Sequence, residues 1–251
     1  MTSETEGRAS ALADLLYPHL LEGCLEPLPA ALKPGTLEEA YRVQQKLVGL
    51  AGGCAGWKIA PPQAPQDPLC SPLPLGIVAD NGTRLPRRAG QSMRAEVELA
   101  VTVTEAVAEL QPVSRTDAAE CIGSWHVAIE VLSSRLPPDA GWLERTADLQ
   151  SSSAVVLGPP RPFTSALEAG GLPMQMRFDE RVVGRADIGP NVDLILDMLL
   201  WLSRHARECG LPLKGGDVII TGARVKPVGF DAPMRISAEA QGFAPATMCF
   251  S

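Results

Sequence analysis

The stretch Arg94-Ala-Glu-Val-Glu-Leu-Ala-Val-Thr-Val103 decides how this chain is read. Residues i and i+2 of a β-strand project to the same face, so on a strand Glu96 and Glu98 send two carboxylates into one space. The nearest comparable acid downstream is Glu130, in Val127-Ala-Ile-Glu-Val-Leu132, whose aliphatic neighbours read as buried. A buried, unpaired carboxylate costs several kcal/mol or titrates to neutral, so three converging acids ask for a hard, oxygen-seeking ion, Mg²⁺ or Mn²⁺. Glu-x-Glu is also common on solvated strand faces, and the spacing alone leaves both readings open.

Composition narrows what such a site could serve. The chain has 251 residues, 45% hydrophobic and 20% charged, enough for one large domain or two unequal ones. We expect a helical N-terminal region over 1–53 and a catalytic domain over 54–251. The net charge is −7 with basic residues scattered, which turns the surface away from nucleic acid and anionic lipid and toward small molecules. Six cysteines, at 24, 54, 70, 121, 209 and 249, form no Cys-x-x-Cys pair and read as thiols of a reducing cytoplasm. The start, Met-Thr-Ser-Glu-Thr-Glu-Gly, lacks the basic then apolar order of a signal peptide. The apolar run around Leu194 to Leu202 is broken by Asp197 and is too short to span a bilayer.

Along the chain, Ser10 to Tyr17 has a helical pattern that Pro18 interrupts, and Thr36 with Glu39 has capping-box spacing ahead of a helix ending at Gly52-Gly53. Cys54 to Ala60 reads as a strand, and the proline-rich Pro61 to Pro74 as a surface loop. Thr116 is placed to cap a helix over Asp117 to Ser124, leading into the Glu130 strand. Met174 to Ile188 reads as a hairpin about Asp179-Glu180, and Asn191 to Cys209 as the strongest helix, closed by Gly210 and packed on the sheet. Strands near Asp217 to Thr221 and Met234 to Ala240 finish the chain. The order of elements predicts an α+β fold with a mixed, largely antiparallel, barrel-like sheet.

Taken together, several segments resemble one family: the bacterial 2-oxopent-4-enoate (2-hydroxypentadienoate) hydratases and 4-oxalocrotonate decarboxylases of the fumarylacetoacetate hydrolase superfamily. The resemblance runs through Ala40-Tyr-Arg-Val-Gln-Gln45, Gly56-Trp-Lys-Ile59, Ala95-Glu-Val-Glu-Leu99, Ala128-Ile-Glu-Val-Leu-Ser-Ser-Arg135, the stretch from Asp148 to Gly158, and Leu213-Lys-Gly-Gly-Asp-Val-Ile-Ile-Thr-Gly222. It implies a divalent ion on Glu96, Glu98 and Glu130. It further implies an active-site lysine at Lys58, kept charged by an acid whose counterpart here is Asp80, and a substrate-binding motif at Asp148, Leu149 and Ser151. Leu149 stands where the family has asparagine, and Ala60-Pro-Pro-Gln63 replaces its Gly-Leu-Thr-Ser. Both departures are expected to line and reshape the substrate pocket.

What the resemblance implies for function is a lyase acting on a short 2-oxo acid or its dienol through a metal-stabilised dienolate. Hydration is favoured over decarboxylation, which needs the same cage. A noncatalytic subunit and an acylpyruvate hydrolase are the alternatives; the first sits badly with three retained acids, and the second lacks a histidine and glutamate pair before Lys58. The family further implies a homo-oligomer or a complex with a related decarboxylase or hydratase. His19, His126 and His205 stand singly, without ligand spacing.

Overall fold

The computed structural model describes residues 3–20, 27–62, 67–86, 92–164, 171–187 and 191–251. Its strands are β1 (Cys54–Ala60), β2 (Leu69–Pro74), β3 (Val78–Ala79), β4 (Thr83–Leu85), β5 (Met93–Val103), β6 (Ile122–Leu132), β7 (Ser152–Leu157), β8 (Arg161–Pro162), β9 (Pro173–Phe178), β10 (Arg181–Asp187), β11 (Val218–Phe230), β12 (Met234–Ala240) and β13 (Ala246–Phe250). Helices are α1 (Ser3–Leu16), α2 (Leu37–Leu50), α3 (Ala106–Leu110), α4 (Arg115–Glu120), α5 (Trp142–Ala147) and α6 (Val192–Glu208).

One sheet runs β2-β1-β11-β5-β6-β7-β3 with β8 beside β6, and it curls into a half-barrel; the other runs β10-β9-β12-β13-β4. Only β1 with β11, β3 with β7 and β4 with β13 pair in parallel, so the architecture is the mixed, largely antiparallel α+β fold expected. Period-2 alternation divides β5 between two environments. Ala95, Val97, Leu99, Val101 and Val103 enter the main core, shared with Met174, Met176, Ile236 and Met248 of the second sheet and Leu199 and Leu202 of α6. The opposite face carries Glu96, Glu98 and Ala100, and Ala100 joins Leu73, Ala128, Val155, Val218 and Ile220 in a smaller apolar cluster. That second face is also buried, so the acids between these residues do not meet bulk solvent.

A separate apolar cluster gathers Leu12, Leu16, Val43 and Leu47 of α1 and α2 with Leu136, Ala147 and Leu149 from later in the chain. Two paired crossings hold the two helices together, Arg8 with Glu39 and Lys46 with Glu6. Where β1 passes β11, Gly56 adopts φ +154°, and a Cβ built there would lie 1.9 Å from the Val218 carbonyl oxygen. Only glycine allows that approach.

Several boundaries differ from the sequence reading. Leu69 to Pro74 is a buried edge strand rather than loop, because an edge strand tolerates residues that cannot donate to a ladder. α1 starts well before Ser10, at Ser3. Ser114, not Thr116, caps α4, in a reciprocal capping box with Asp117. β11 continues nine residues past Thr221, to Phe230, by bulging at Gly222 to Arg224, and β13 was not foreseen. Asn191 caps α6 by accepting from the Leu194 amide at 3.0 Å, and Gly210 follows its end at φ +71°. Gln63, in the loop expected to line the pocket, lies outside the described residues. No helix among the described residues is long and apolar enough to cross a membrane.

Candidate metal centre

Strand register assembles the site. In the antiparallel pair β5–β6, Glu96 lies directly opposite Glu130 and Glu98 opposite Ala128, so the three acids occupy adjacent places on one face. β1 reaches this face by pairing with β11, with Lys58 beside Ile220. One carboxylate oxygen from each of Glu96, Glu98 and Glu130 lies within 4.8 Å of the others. Glu98 and Glu130 are 0% exposed and Glu96 5%, which removes the solvated-face reading.

The charges do not balance. Lys58 Nζ donates to both oxygens of Glu130, at 2.7 and 2.9 Å, and approaches Glu96 at 3.8 Å. One ammonium thus faces three carboxylates. Burial, then the neighbouring acids, push the Glu96 carboxyl up to about 10. Burial and the Glu130 charge push Glu98 up to about 8. Glu130 moves the other way: burial is the largest single influence and raises it, but the Lys58 charge, hydrogen bonds from Glu96 and Lys58 and the nearby Ser152 hydroxyl together outweigh burial and hold it below the usual carboxylate range. The same acids keep Lys58 charged despite its burial.

Glu98 shows most clearly what the site wants. Its Oε2 accepts from the Gly222 amide at 2.6 Å, while its Oε1 is buried with no hydrogen-bond partner among the described residues. A buried acceptor left unpaired is costly, and an oxygen-seeking cation would satisfy it. Three carboxylates with no sulfur or imidazole suit Mg²⁺, Mn²⁺ or Ca²⁺, so the residues fit a divalent ion.

Three other expected residues lie elsewhere in the chemistry. Asp80 is exposed in the turn after β3, its carbonyl accepting from the Thr83 amide, and the acids on Lys58 are Glu130 and Glu96 instead. Asp148 does not present a free carboxylate to substrate. It is fully buried against Arg135, whose Nε donates at 2.6 Å, and it accepts also from the Arg135 amide and Ser134 Oγ. Leu149 does not line a pocket either: it is 0% exposed within the α1–α2 cluster. The chain makes this possible by turning left-handed, with φ of +52°, +51° and +65° at Leu149, Gln150 and Ser151. That turn sends Leu149 into the helical cluster and Gln150 to the Cys70 carbonyl of β2 at 2.7 Å.

Ser151 is 8% exposed at the end of the turn, its carbonyl accepting from the Ser133 amide. Its neighbour Ser152 is buried beside Glu130 and helps draw that carboxylate down. The sequence reading assigned no role to Ser152, Gly222 or Arg224. Of these, Gly222 carried a signal as the terminal glycine of the Leu213 to Gly222 motif, and Ser152 as a member of the stretch from Asp148 to Gly158.

The chain resembles known proteins over most of its length. Residues 43–247 match the family model described as fumarylacetoacetate (FAA) hydrolase C-terminal. The chain is 23% identical over 242 residues to a 2-keto-4-pentenoate hydratase of Paraburkholderia phymatum, covering 90% of this chain and 91% of that one. It is 26% identical over 125 residues to 2-keto-4-pentenoate hydratase 1 of Dechloromonas aromatica, and that match spans 48%, about half, of the relative's length. Among solved structures, the 4-oxalocrotonate decarboxylase of Pseudomonas putida G7, complexed with magnesium and adipate, superposes with a TM-score of 0.79 at 17% identity over 98% of each chain. The fumarylpyruvate hydrolase of Pseudomonas aeruginosa, with Mn²⁺ and pyruvate, gives 0.58 at 14% identity over 77% of this chain and 88% of that one. With its family match spanning most of its length, the chain belongs to the fumarylacetoacetate hydrolase C-terminal family.

Proposed function

We propose that this protein is a metal-dependent lyase of short 2-oxo acids, and that it hydrates a 2-hydroxy-2,4-dienoate. One observation carries the reading: three buried carboxylates within 4.8 Å of one another, one of whose oxygens has no donor. A bound divalent ion, Mg²⁺ or Mn²⁺, supplies a Lewis acid for the substrate's carboxylate and 2-oxygen, where negative charge develops. The chain's own groups supply the rest. Gly222 fixes the Glu98 carboxylate through its amide, so this ligand is oriented before anything binds. Lys58 keeps its charge through Glu130, and its Nζ is placed to hold a substrate carboxylate or the water that adds at carbon 4. The apolar side chains around the acids keep bulk water out, which strengthens each charge interaction within.

Loss of carbon dioxide from a 4-oxalocrotonate-like diacid would use the same groups, and Arg224, a half-buried cation next to Glu98, is the observation that favours that second reading. The reading includes a cytoplasmic setting, in which the five described cysteines persist as free thiols, and assembly as a homo-oligomer or with a related decarboxylase or hydratase.

The test is turnover of 2-hydroxypentadienoate, 4-oxalocrotonate and an acylpyruvate, each with Mg²⁺, with Mn²⁺ and with chelator. Metal-dependent hydration of the first is the expected result. Turnover of the acylpyruvate alone would replace the lyase with a hydrolase, and no turnover of any would favour a noncatalytic subunit.

A further inference from the structure

α6 closes on Trp201-Leu-Ser-Arg-His-Ala-Arg-Glu-Cys209, in which His205, Glu208 and Cys209 recur at i, i+3 and i+4 and so share one face of the last turn. His205 stands singly among the histidines, and its partner is a thiol instead. Cys209 Sγ lies 3.4 Å from His205 Nε2. A tetrahedral zinc with Zn–S of about 2.3 Å and Zn–N of about 2.0–2.1 Å holds those two atoms about 3.5 Å apart, so the pair already spans two vertices of such a site. Without an ion the same separation is a thiol–imidazole hydrogen bond.

The imidazole is held from three sides. Its ring stacks on Trp201 at 4.7 Å and 12°, and meets Tyr41 of α2 and Trp57 of β1 edge-on, at 4.9 and 6.3 Å. These rings fix its plane, as the outer partners of a metal ligand do. Burial holds it below the usual histidine range, which keeps it neutral with a lone pair to give. A cavity of about 370 Å³ opens at the ring, lined by Asp67, Trp201, Arg204, His205 and Glu208. Asp67, two residues before β2, and Glu208 are exposed there, and both charges act on the imidazole. Arg204 adds one cation to the wall. The acids of β5 and β6 are the one set among the described residues with three ligand atoms already within 4.8 Å. At α6 two ligand atoms are set, and two exposed carboxylates border the same space.

We infer that His205 and Cys209 form a second metal site, for Zn²⁺ or another thiophilic divalent ion, with Asp67 and Glu208 completing its shell and joining α6 to the segment ahead of β2. Thiolate and imidazole select this class of ion over Mg²⁺ and Mn²⁺, which suit the all-oxygen acid cluster, so two ions of different chemistry sort to two sites. The thiol gives its proton to solvent as the ion binds, and no electron changes hands.

The experiment adds Co²⁺, a spectroscopic stand-in for Zn²⁺, to the full-length protein in saturating Mg²⁺. A thiolate-to-cobalt charge-transfer band that saturates and is bleached by Zn²⁺ is expected, and the acid cluster cannot give it because it holds no sulfur. Cys209→Ala is expected to abolish the band. His205→Gln is expected to weaken Co²⁺ by about a hundredfold, and Asp67→Asn with Glu208→Gln by about tenfold. Glu98→Gln, and Cys249→Ala at the other half-exposed described thiol, are expected to leave the band unchanged. Cys209→Ser serves the same purpose should the alanine variant not fold. No band at saturating Co²⁺, a band that survives removal of the Cys209 thiol, or a band lost in Glu98→Gln each overturns the inference.

Discussion

Two buried ionic clusters lie a few residues apart in sequence and differ in one respect. At Asp148 and Arg135, one anion meets one cation, and the guanidinium is further satisfied by the carbonyls of Ser133, Ser152 and Asp148 itself. At Glu96, Glu98 and Glu130, three anions meet one ammonium and an oxygen is left over. The first cluster is closed by the protein. The second is completed only by something that comes from outside. Burial therefore does not distinguish a structural ion pair from a binding site, whereas the sum of charges and the count of unfilled lone pairs does.

The largest effect should come from opening the closed cluster. Arg135→Met leaves Asp148 buried without a cation, which should cost about 3–5 kcal/mol of stability. Denaturant unfolding measures this, and a loss under about 1 kcal/mol would mean the pair is not the strut its geometry suggests. In the open cluster, Glu98→Gln should spare the metal-free protein, because burial already favours the neutral form of this side chain and the amide keeps its shape, so stability is expected to hold, while metal affinity and turnover fall by about a hundredfold. Thermal midpoints with chelator, set beside titration with Mn²⁺, separate the two effects. Undiminished metal affinity in this variant would remove Glu98 from the ligand set.

Titration sharpens the contrast further. In the metal-free fold Glu96 and Glu98 are raised to about 10 and about 8 from an unfolded value of 4.5, so the folded protein holds protons that the unfolded chain has released. Their stabilisation is complete below pH 4.5 and is lost as pH rises toward those values, by up to about 1.4 kcal/mol per pH unit for each proton held. Glu130, lowered, adds stability that is lost only as pH falls below its unfolded value, so it does not offset this slope. With chelator, the thermal midpoint should therefore fall between about pH 6 and 9, and saturating Mg²⁺ or Mn²⁺ should flatten the slope. A midpoint that is flat in chelator would show that the acids are not proton-loaded. The smallest effect is expected at Leu149. Asparagine suits its left-handed backbone better but places an amide in the helical cluster, so Leu149→Asn should cost about 1–2 kcal/mol and leave the ranking of substrates unchanged. A changed ranking would return this residue to the pocket.

The acid cluster was legible in the sequence because strand period and strand pairing are short-range rules: Glu-x-Glu shares a face, and an aliphatic frame buries it. Asp148 and Leu149 were misread because the same rules do not show a left-handed turn of three non-glycine residues, nor that Leu149 would find its partners on helices more than a hundred residues earlier. Asp80 stands exposed after β3, and the acids that meet Lys58 come from β5 and β6, strands that a reading of local sequence does not bring to β1. β11 was cut short because Gly222 and Pro227 resemble strand breaks, when in fact the strand survives them by bulging, and the bulges aim Gly222 and Arg224.

Gly56 carries no chemistry, yet it acts as the gauge block of the active site. The separation of β1 from β11 is set where a glycine with no side chain lets the two backbones touch, and Lys58 sits two residues further along that same ruler. A single methyl group at position 56 would meet the Val218 carbonyl and force the strands apart, carrying the ammonium away from Glu130. Ångström-scale placement of a charge is thus inherited from an interatomic clearance at a residue that carries no side chain of its own.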